Sequence, residues 1–360
     1  MSQKEHENKK NKHESKKEKS RESNEETLDY QEIEEISEEI QNEEIEFINE
    51  TVPINAFLLE KLKQIFPKEE HTHFLKESLN PRPMIIRTNT LKIRPSLLNK
   101  LLCARGISLE PLYFCSAGFI VYNSPVPLGA TPEYLAGYYV IQGGASFLPV
   151  LALDVKKDDK VLDMCSSPGL KGCFISTFLS KENFLVVNDI CKERLFSLKG
   201  NFSRLGIQNV VIINYDARKL ELNKFNKILL DAPCSGTGVI SKDKSVLTKL
   251  NLKELKRISL LQKELILRGY DLLESKGILV YSTCSVLVEE NEEVINYLLN
   301  KRNDAVILPL SDEESFGKVG RNGFCKFRGK IFHKDMNFAK RIYPHSQNLD
   351  GFFVAKIMKK

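Results

Sequence analysis

The sequence predicts an α/β protein built on a doubly wound, mostly parallel sheet, preceded by a smaller N-terminal α/β module and a charged N-terminal tail. Three observations predict it. After about residue 129, near-continuous apolar runs alternate with stretches of helical spacing, as strands buried on both faces do with their crossover helices. Acidic and cysteine residues stand just past the ends of those runs, where such sheets bind their ligands. Residues 1–50 hold 8 Lys/Arg and 17 Asp/Glu, a net −9, against a net +14 for the rest of the 360-residue chain.

The tail opens lysine-rich (9–21) and turns acidic (25–47), without proline or glycine. Such a segment buries too little apolar surface to offset its conformational entropy, so residues 1–50 are expected to be a disordered arm with a transient acidic helix. Its lysine cluster also matches a nuclear localisation signal, a weak pattern by itself. The module at 51–128 reads as a helix (56–66), a strand (83–93), a helix ended by Gly106 (95–106) and a strand (118–125). Residues 129–360 form the main domain. A helical stretch over 133–154 leads into strands at 160–165, 183–189, 210–216, 227–233 and 277–283, with helices in the gaps.

The first of these strands runs into DMCSSPGLKG (163–172), a turn of small residues opening a helix. Small side chains let backbone amides approach a ligand closely. G-x-G-x-x-G is absent there, which speaks against a nicotinamide enzyme. The second strand ends at Asp189, placed as the acceptor for the ribose hydroxyls of an adenosine cofactor, and the third at Asp216, facing an adenine edge. A single strand-end aspartate reads more readily as a helix cap; successive ones shift the balance toward a ligand site. The fourth and fifth strands deliver DAPCSGTGVISKD (231–243) and YSTCSVLVEENEEV (281–294), each with a cysteine just beyond the strand. A lone cysteine is more often core than catalyst, but two at adjacent strand ends suggest a shared site.

No run of eighteen apolar residues occurs and the first thirty residues are nearly all polar, so a soluble intracellular protein without a membrane partner is expected. The eight cysteines are scattered and form no C-x-x-C pair, so they are expected to be reduced, with no metal site. The basic body suits phosphate neutralisation on a nucleic acid and equally a plain soluble surface.

From about Arg87 to the end, through RTNTL, PLGATPEYLAG, DAPCSGTGVISKD, YSTCS, FHKDMNFAKRIYPH and LDGFFVAKI, the chain resembles the Nol/Nop/Sun RNA cytosine-5 methyltransferases. PLGATPEYLAG and GVISKD resemble its nucleolar protein-two type, which acts on large-subunit rRNA. The resemblance implies a Rossmann-like methyltransferase sheet, S-adenosyl-L-methionine as cofactor, and an RNA-binding role for the N-terminal module. It further implies rRNA or its precursor as substrate, pre-ribosomal proteins as partners and a nucleolar setting within the nucleus. By that resemblance Cys165, Ser166, Ser167, Pro168, Gly169, Leu170 and Lys171 form the cofactor loop. Asp189 binds the ribose, Asp216 lies by the adenine, and Asp231 lies between cofactor and substrate. Cys284 is the nucleophile and Cys234 assists product release.

The chemistry asks for these residue types. Carbon 5 of cytosine is a poor nucleophile until a thiolate adds to carbon 6, and cysteine is partly thiolate near neutral pH. Asp231 can stabilise charge building up on the base. The target must leave its stack, which favours single-stranded or opened RNA. The family loop usually reads PGGK followed by Thr or Ser. Here Leu170 and Gly172 replace the second glycine and the hydroxyl, so cofactor binding requires a negative φ at Leu170 or a side chain pointing away.

In the module, Arg82, Arg87, Lys92 and Arg94 are candidate phosphate contacts or simply solvated charges. Arg341 and His345 are expected in structural roles, and the Phe-rich 323–333 mainly in the core. Two other classes remain open. A DNA cytosine-5 methyltransferase would use Cys234 of Pro233–Cys234 as nucleophile, leaving Cys284 idle. A ribosome-assembly scaffold would bind pre-rRNA with dispensable catalysis.

Overall fold

The computed structural model describes residues 53–310 and 319–360. The charged arm at 1–50, with its expected disorder and its lysine-rich signal, lies outside the described residues. Among the described residues no helix is long and apolar enough to cross a membrane.

Two helices come first, α1 (Ala56–Ile65) and α2 (Lys68–Leu79). Asn55 caps α1 by accepting from Leu58 N. A four-stranded antiparallel sheet follows, in the order β2-β3-β1-β4, from β1 (Met84–Thr88), β2 (Ser108–Leu112), β3 (Cys115–Asn123) and β4 (Tyr139–Ile141). Helix α3 (Pro95–Ala104) turns Leu98 and Leu102 onto it, where they pack with Ile86, Phe119 and Tyr139. Strand alternation sends Ile85 the other way, into the main core with Phe147 and Phe174.

The helical stretch expected over 133–154 is not one helix. Pro132–Leu135 forms a single turn, Tyr139–Ile141 is a strand, and only Leu148–Leu153 (α4) is again helical. Gly137, at φ +74°, breaks the first turn, and the β-branched Val140 and Ile141 favour pairing with β1. The apolar spacing across this stretch fits both structures, which is why periodicity misread it.

Among the described residues the main sheet has nine strands. Its parallel part runs β9-β8-β5-β6-β7, with β5 (Val161–Asp163), β6 (Leu185–Asn188), β7 (Val210–Ile213), β8 (Phe225–Asp231) and β9 (Leu273–Thr283). Strand β5 has β6 on one side and β8 on the other, so strand order reverses there and a crevice opens at the carboxyl ends. Crossovers run through α5 (Leu170–Ile175), α6 (Arg194–Leu205) and α7 (Leu252–Asp271). Helix α8 (Glu292–Lys301) follows β9.

Beyond β9 the sheet turns antiparallel. β15 (Phe352–Lys359) pairs with β9, Phe353 opposite Thr283, and is flanked by β10 (Ala305–Leu308) and β14 (Lys340–Ile342); β14 in turn pairs with β11 (Arg321–Asn322), while β12 (Lys326–Phe327) and β13 (Lys330–Ile331) form a separate hairpin. Phe352–Ala355 are wholly buried, as a central strand requires. The result is a Rossmann-like, mostly parallel sheet with an antiparallel edge.

Candidate active site

Strand β5 delivers Asp163 to the crevice floor. The residue is 1% exposed; Oδ2 accepts from Ser166 Oγ at 2.8 Å, and Oδ1 has no hydrogen-bond partner among the described residues. Burial, with the nearby Asp231 carboxylate adding, pushes its pKa up to about 7, against the pull of the Ser166 bond. The loop then turns at Gly169, at φ +95°. A Cβ at Gly169 would lie 3.0 Å from Phe202 and 3.2 Å from Leu198, so a side chain there is both strained and crowded.

Leu170 opens α5 in helical conformation and packs on the main core, so the negative φ required of it is present and its side chain leans into apolar surroundings. At Gly172 a Cβ would come within 3.1–3.3 Å of Phe202, Ser166 and Asp163. The glycine therefore goes with the close packing of this loop.

Arg87 sits beneath the loop. Strand alternation puts it on the same face as Ile85. Its Nη2 donates to Leu170 O at 3.0 Å, its Nε to Gln142 Oε1 at 2.9 Å, and its guanidinium lies 4.3 Å from the Phe174 ring centre. At 1% exposure it cannot touch a phosphate, which corrects that reading. Arg82 is likewise committed, to Glu77, to Pro344 O and to Asn348 Oδ1. Lys92 donates to Ala136 O and Arg204 O. Arg94 sits at the N-terminus of α3.

Around this loop opens a cleft of about 680 Å³. Cys165, Ser167, Asp189, Asp216, Asp231, Cys234 and Cys284 all border it. Asp189 accepts from Ser167 N at 3.1 Å and Cys191 N at 2.9 Å, which fixes its carboxylate at the end of β6. Asp216 accepts from Arg218 N and pairs with the Arg218 guanidinium, whose hydrogen bond holds its carboxyl below the usual range. Leu260 and Leu261 of α7 add apolar walls.

Asp231 ends β8 between two donors, Lys171 Nζ and Ser282 Oγ, both at 2.7 Å. The pair is largely shielded, with 14% of the Lys171 side chain and 28% of Asp231 exposed. Burial pulls Lys171 down, but the Asp231 carboxylate outweighs it, Cys284 adds, and the net direction is up. A second, smaller cavity of about 220 Å³ meets the same pair from the side of Gln142 and Ser146.

The sulfurs of Cys234 and Cys284 lie 3.2 Å apart, although 50 residues separate them in sequence. Parallel pairing sets this up: Asp231 stands opposite Ser282, so each chain emerges one short step before its cysteine. The hydrogen bond with Cys284, then burial, push the Cys234 thiol well above its ordinary value, and Glu290 adds to it.

Glu290 was missed by sequence reasoning, because an EEN run reads as solvated charge. It is fully buried. Its carboxylate accepts from Ser235 N (2.8 Å), Ser235 Oγ (2.5 Å), Ser285 Oγ (2.5 Å) and Gln262 Nε2 (3.1 Å). Ser235 and Ser285 are the residues that follow the two cysteines. The signal available in sequence was the position of this run, six residues after YSTC, at the start of a helix whose spacing buries Glu292 as well.

Glu292 forms a bidentate pair with Arg341, whose guanidinium also reaches Val286 O. His345 meets Glu70 at 2.7 Å and stacks on Tyr343. Both side chains are thus engaged within the fold. In the Phe-rich stretch Phe332 is buried and Phe324 stacks on Phe327, leaving Ile331 exposed.

The described residues match two family models. Residues 150–358 match "16S rRNA methyltransferase RsmB/F", and residues 54–144 match the N-terminal domain of 16S rRNA methyltransferase RsmF. A Homo sapiens 28S rRNA (cytosine(4447)-C(5))-methyltransferase is 45% identical over 84% of this chain and 37% of its own length. A 25S rRNA (cytosine-C(5))-methyltransferase of Schizosaccharomyces pombe is 43% identical over 85% of this chain and 51% of its own. The chain thus spans between about a third and a half of the length of these relatives. Among solved structures, a methyltransferase homolog protein from Pyrococcus horikoshii superposes with a TM-score of 0.76 at 33% identity, over 84% of this chain and 94% of that one. NSun6 from the same organism, solved with SFG, gives 0.75 at 25% identity over 85% and 98%. With a family model covering most of the chain, and the sheet, the loop and the paired cysteines in place, this protein belongs to the RsmB/F methyltransferase family.

Proposed function

We propose that the protein methylates carbon 5 of a cytosine in large-subunit rRNA, with S-adenosyl-L-methionine as methyl donor. The single observation carrying this reading is the 3.2 Å approach of two thiols at the mouth of a cleft bordered by three strand-end aspartates. The named activities of the 25S and 28S relatives support large-subunit rRNA as substrate.

The donor's site fits the residues present. Asp189 offers a fixed carboxylate for ribose hydroxyls, Asp216 stands where the adenine end would lie, Leu260 and Leu261 give apolar walls, and Cys165 and Ser167 border the rest. The unpartnered, buried Oδ1 of Asp163 adds an acceptor for an ammonium group. When bound, S-adenosylmethionine supplies an electrophilic methyl on a sulfonium sulfur.

The remaining chemistry belongs to the chain. The Cys284 thiolate bonds to carbon 6, and the ring's π pair moves to carbon 5, which becomes the atom able to accept a methyl group. Lys171 and Asp231, held together, present a donor and an acceptor to the polar edge of the base. While Cys284 is free, its hydrogen bond keeps the proton on Cys234. In the adduct that hydrogen bond is gone, although burial and Glu290 still raise the thiol; the Cys234 proton passes to solvent, and Cys234 then takes the carbon 5 proton. The C5=C6 bond re-forms, Cys284 leaves as thiolate, and Cys234 is again a thiol. One proton is released per turnover, as replacing C–H by C–CH3 from a sulfonium requires.

The N-terminal module, whose sheet takes in β4 and so runs past the expected boundary at 128 to about residue 144, would hold the RNA ahead of the catalytic domain. Work within a nucleolar pre-ribosomal particle is part of the same reading and rests on the relatives' rRNA substrates. The test is a large-subunit rRNA transcript incubated with the full chain and methyl donor, mapped by bisulfite sequencing. Cys284→Ala should abolish the mark; Cys234→Ala should accumulate a denaturation-resistant protein–RNA adduct. Full activity in Cys284→Ala with loss in Cys234→Ala would transfer the nucleophile to Cys234. Growth rescue by Cys284→Ala would show that binding, not methylation, is the essential work.

A further inference from the structure

Two motifs remain without a role above, GVISKD in the loop after Cys234 and LDG before β15, and the fold brings them together. Lys242 donates to Asp350 Oδ2 at 2.6 Å. The pair lies against Gly143 at the end of β4, so closely that a Cβ there would be 2.4 Å from Asp350 Oδ2. Asp350 is 4% exposed, yet its Oδ1 has no hydrogen-bond partner among the described residues. An acceptor buried without a donor costs on the order of 1–3 kcal/mol, so it points to a missing one.

This carboxylate borders a groove of about 240 Å³. Pro83, Met84 and Ile141 form an apolar wall, on which Met84 and Ile141 are 49% and 37% exposed. The groove shares Ile141, Gln142 and Gly143 with the smaller cavity that reaches Lys171 and Asp231. It is therefore adjacent to the cavity from which, in the reading above, Lys171 and Asp231 meet the target base. The Lys242 side chain, 54% exposed, stands at its edge.

We propose that this groove is a second base subsite, holding a nucleotide adjacent to the target cytosine and selecting a base with an exocyclic amine. The inference rests on the RNA-methylating reading above. The apolar wall takes the face of the base, the amine donates to Asp350 Oδ1, and Lys242 meets the phosphate. Uracil, with a carbonyl where the amine would be, sets two acceptors against each other and is disfavoured.

The chain contains no tryptophan, so Met84→Trp in the full chain places a single, selectively excited tryptophan on the wall. The probes are uridine hexamers with one central cytidine and, at its 5′ or its 3′ neighbour, adenosine, purine riboside or uridine. Purine riboside keeps the stacking face and lacks the amine. At one of the two positions adenosine should quench with roughly tenfold tighter binding than purine riboside, as for loss of one hydrogen bond to a charged group. Asp350→Asn in the same background should collapse that difference.

Equal binding of adenosine and purine riboside at both positions, or no quenching by any hexamer, overturns the subsite. So does a difference that persists unchanged in a folded Asp350→Asn protein. If that variant does not fold, the adenosine and purine riboside comparison still decides, because it leaves residue 350 intact. The same hexamers incubated with S-adenosylmethionine separate the two readings: amine-dependent binding with no 5-methylcytosine supports the subsite and counts against the catalytic reading.

Discussion

The carboxylate of Glu290 accepts hydrogen bonds from both Ser235 and Ser285, the residues that follow Cys234 and Cys284. One buried acid therefore holds the two loops that carry the thiols. Glu290→Gln keeps the volume but trades an acceptor for a donor facing donors. Its kcat should fall by about one to two orders of magnitude, while KM for RNA changes little, as for misplacement of reacting groups. A proportional rise in KM with kcat intact would show that Glu290 does not set the thiols.

Asp163 gives a pH signature in stability. Its folded pKa, about 7, lies above the ordinary aspartate value of 3.8, so the folded state binds its proton more tightly than the unfolded state. The associated stability is full below about pH 4 and is lost as pH rises through 7, with a slope of about 1.4 kcal/mol per pH unit between those limits. Asp163→Asn removes that loss. Thermal melts should show the variant gaining on wild type between pH 5 and pH 8; a constant difference would contradict the burial assigned to this carboxylate.

Arg87 supports the 165–171 loop from below and makes no phosphate contact. Arg87→Met should cost about 2–3 kcal/mol of stability, from the lost bonds to Leu170 O and Gln142 and the acceptors left behind. Urea titration measures this. The slope of log K for RNA against log salt should stay the same, whereas a phosphate contact would lower it by about one.

Gly238 and Gly351 meet backbone to backbone. A Cβ at Gly238 would lie 2.0 Å from Gly351 O. Gly238→Ala should destabilise by about 3 kcal/mol and reduce activity beyond what the lost stability explains, because Gly238 N donates to Cys284 O at 2.8 Å. Near-wild-type melting and turnover would refute the close approach.

Much of this site was legible in the sequence because strand ends are legible. The five parallel strands announce themselves as apolar runs, and Asp163, Asp189, Asp216, Asp231 and both cysteines follow from where those runs stop. What escaped was whatever depends on burial of charge. Arg87 and Glu290 look like surface residues in any composition-based reading. Only strand alternation against Phe174, and a turn that folds the EEN run beneath the cysteine loops, put them inside. The stretch 133–154 escaped for another reason: its apolar spacing suits a helix and a strand alike, and Gly137 decides between them through backbone conformation.

The carbonyl of Cys284 is tied to the amide of Gly238, and the carbonyl of Gly238 to the amide of Gly351 at the mouth of β15. Three segments distant in sequence are thus laced by main-chain atoms alone, at a crossing too narrow for any side chain. Pulling the Cys284 turn away from the loop that follows Cys234 therefore means breaking main-chain bonds in series, each of which would leave a buried polar group without a partner.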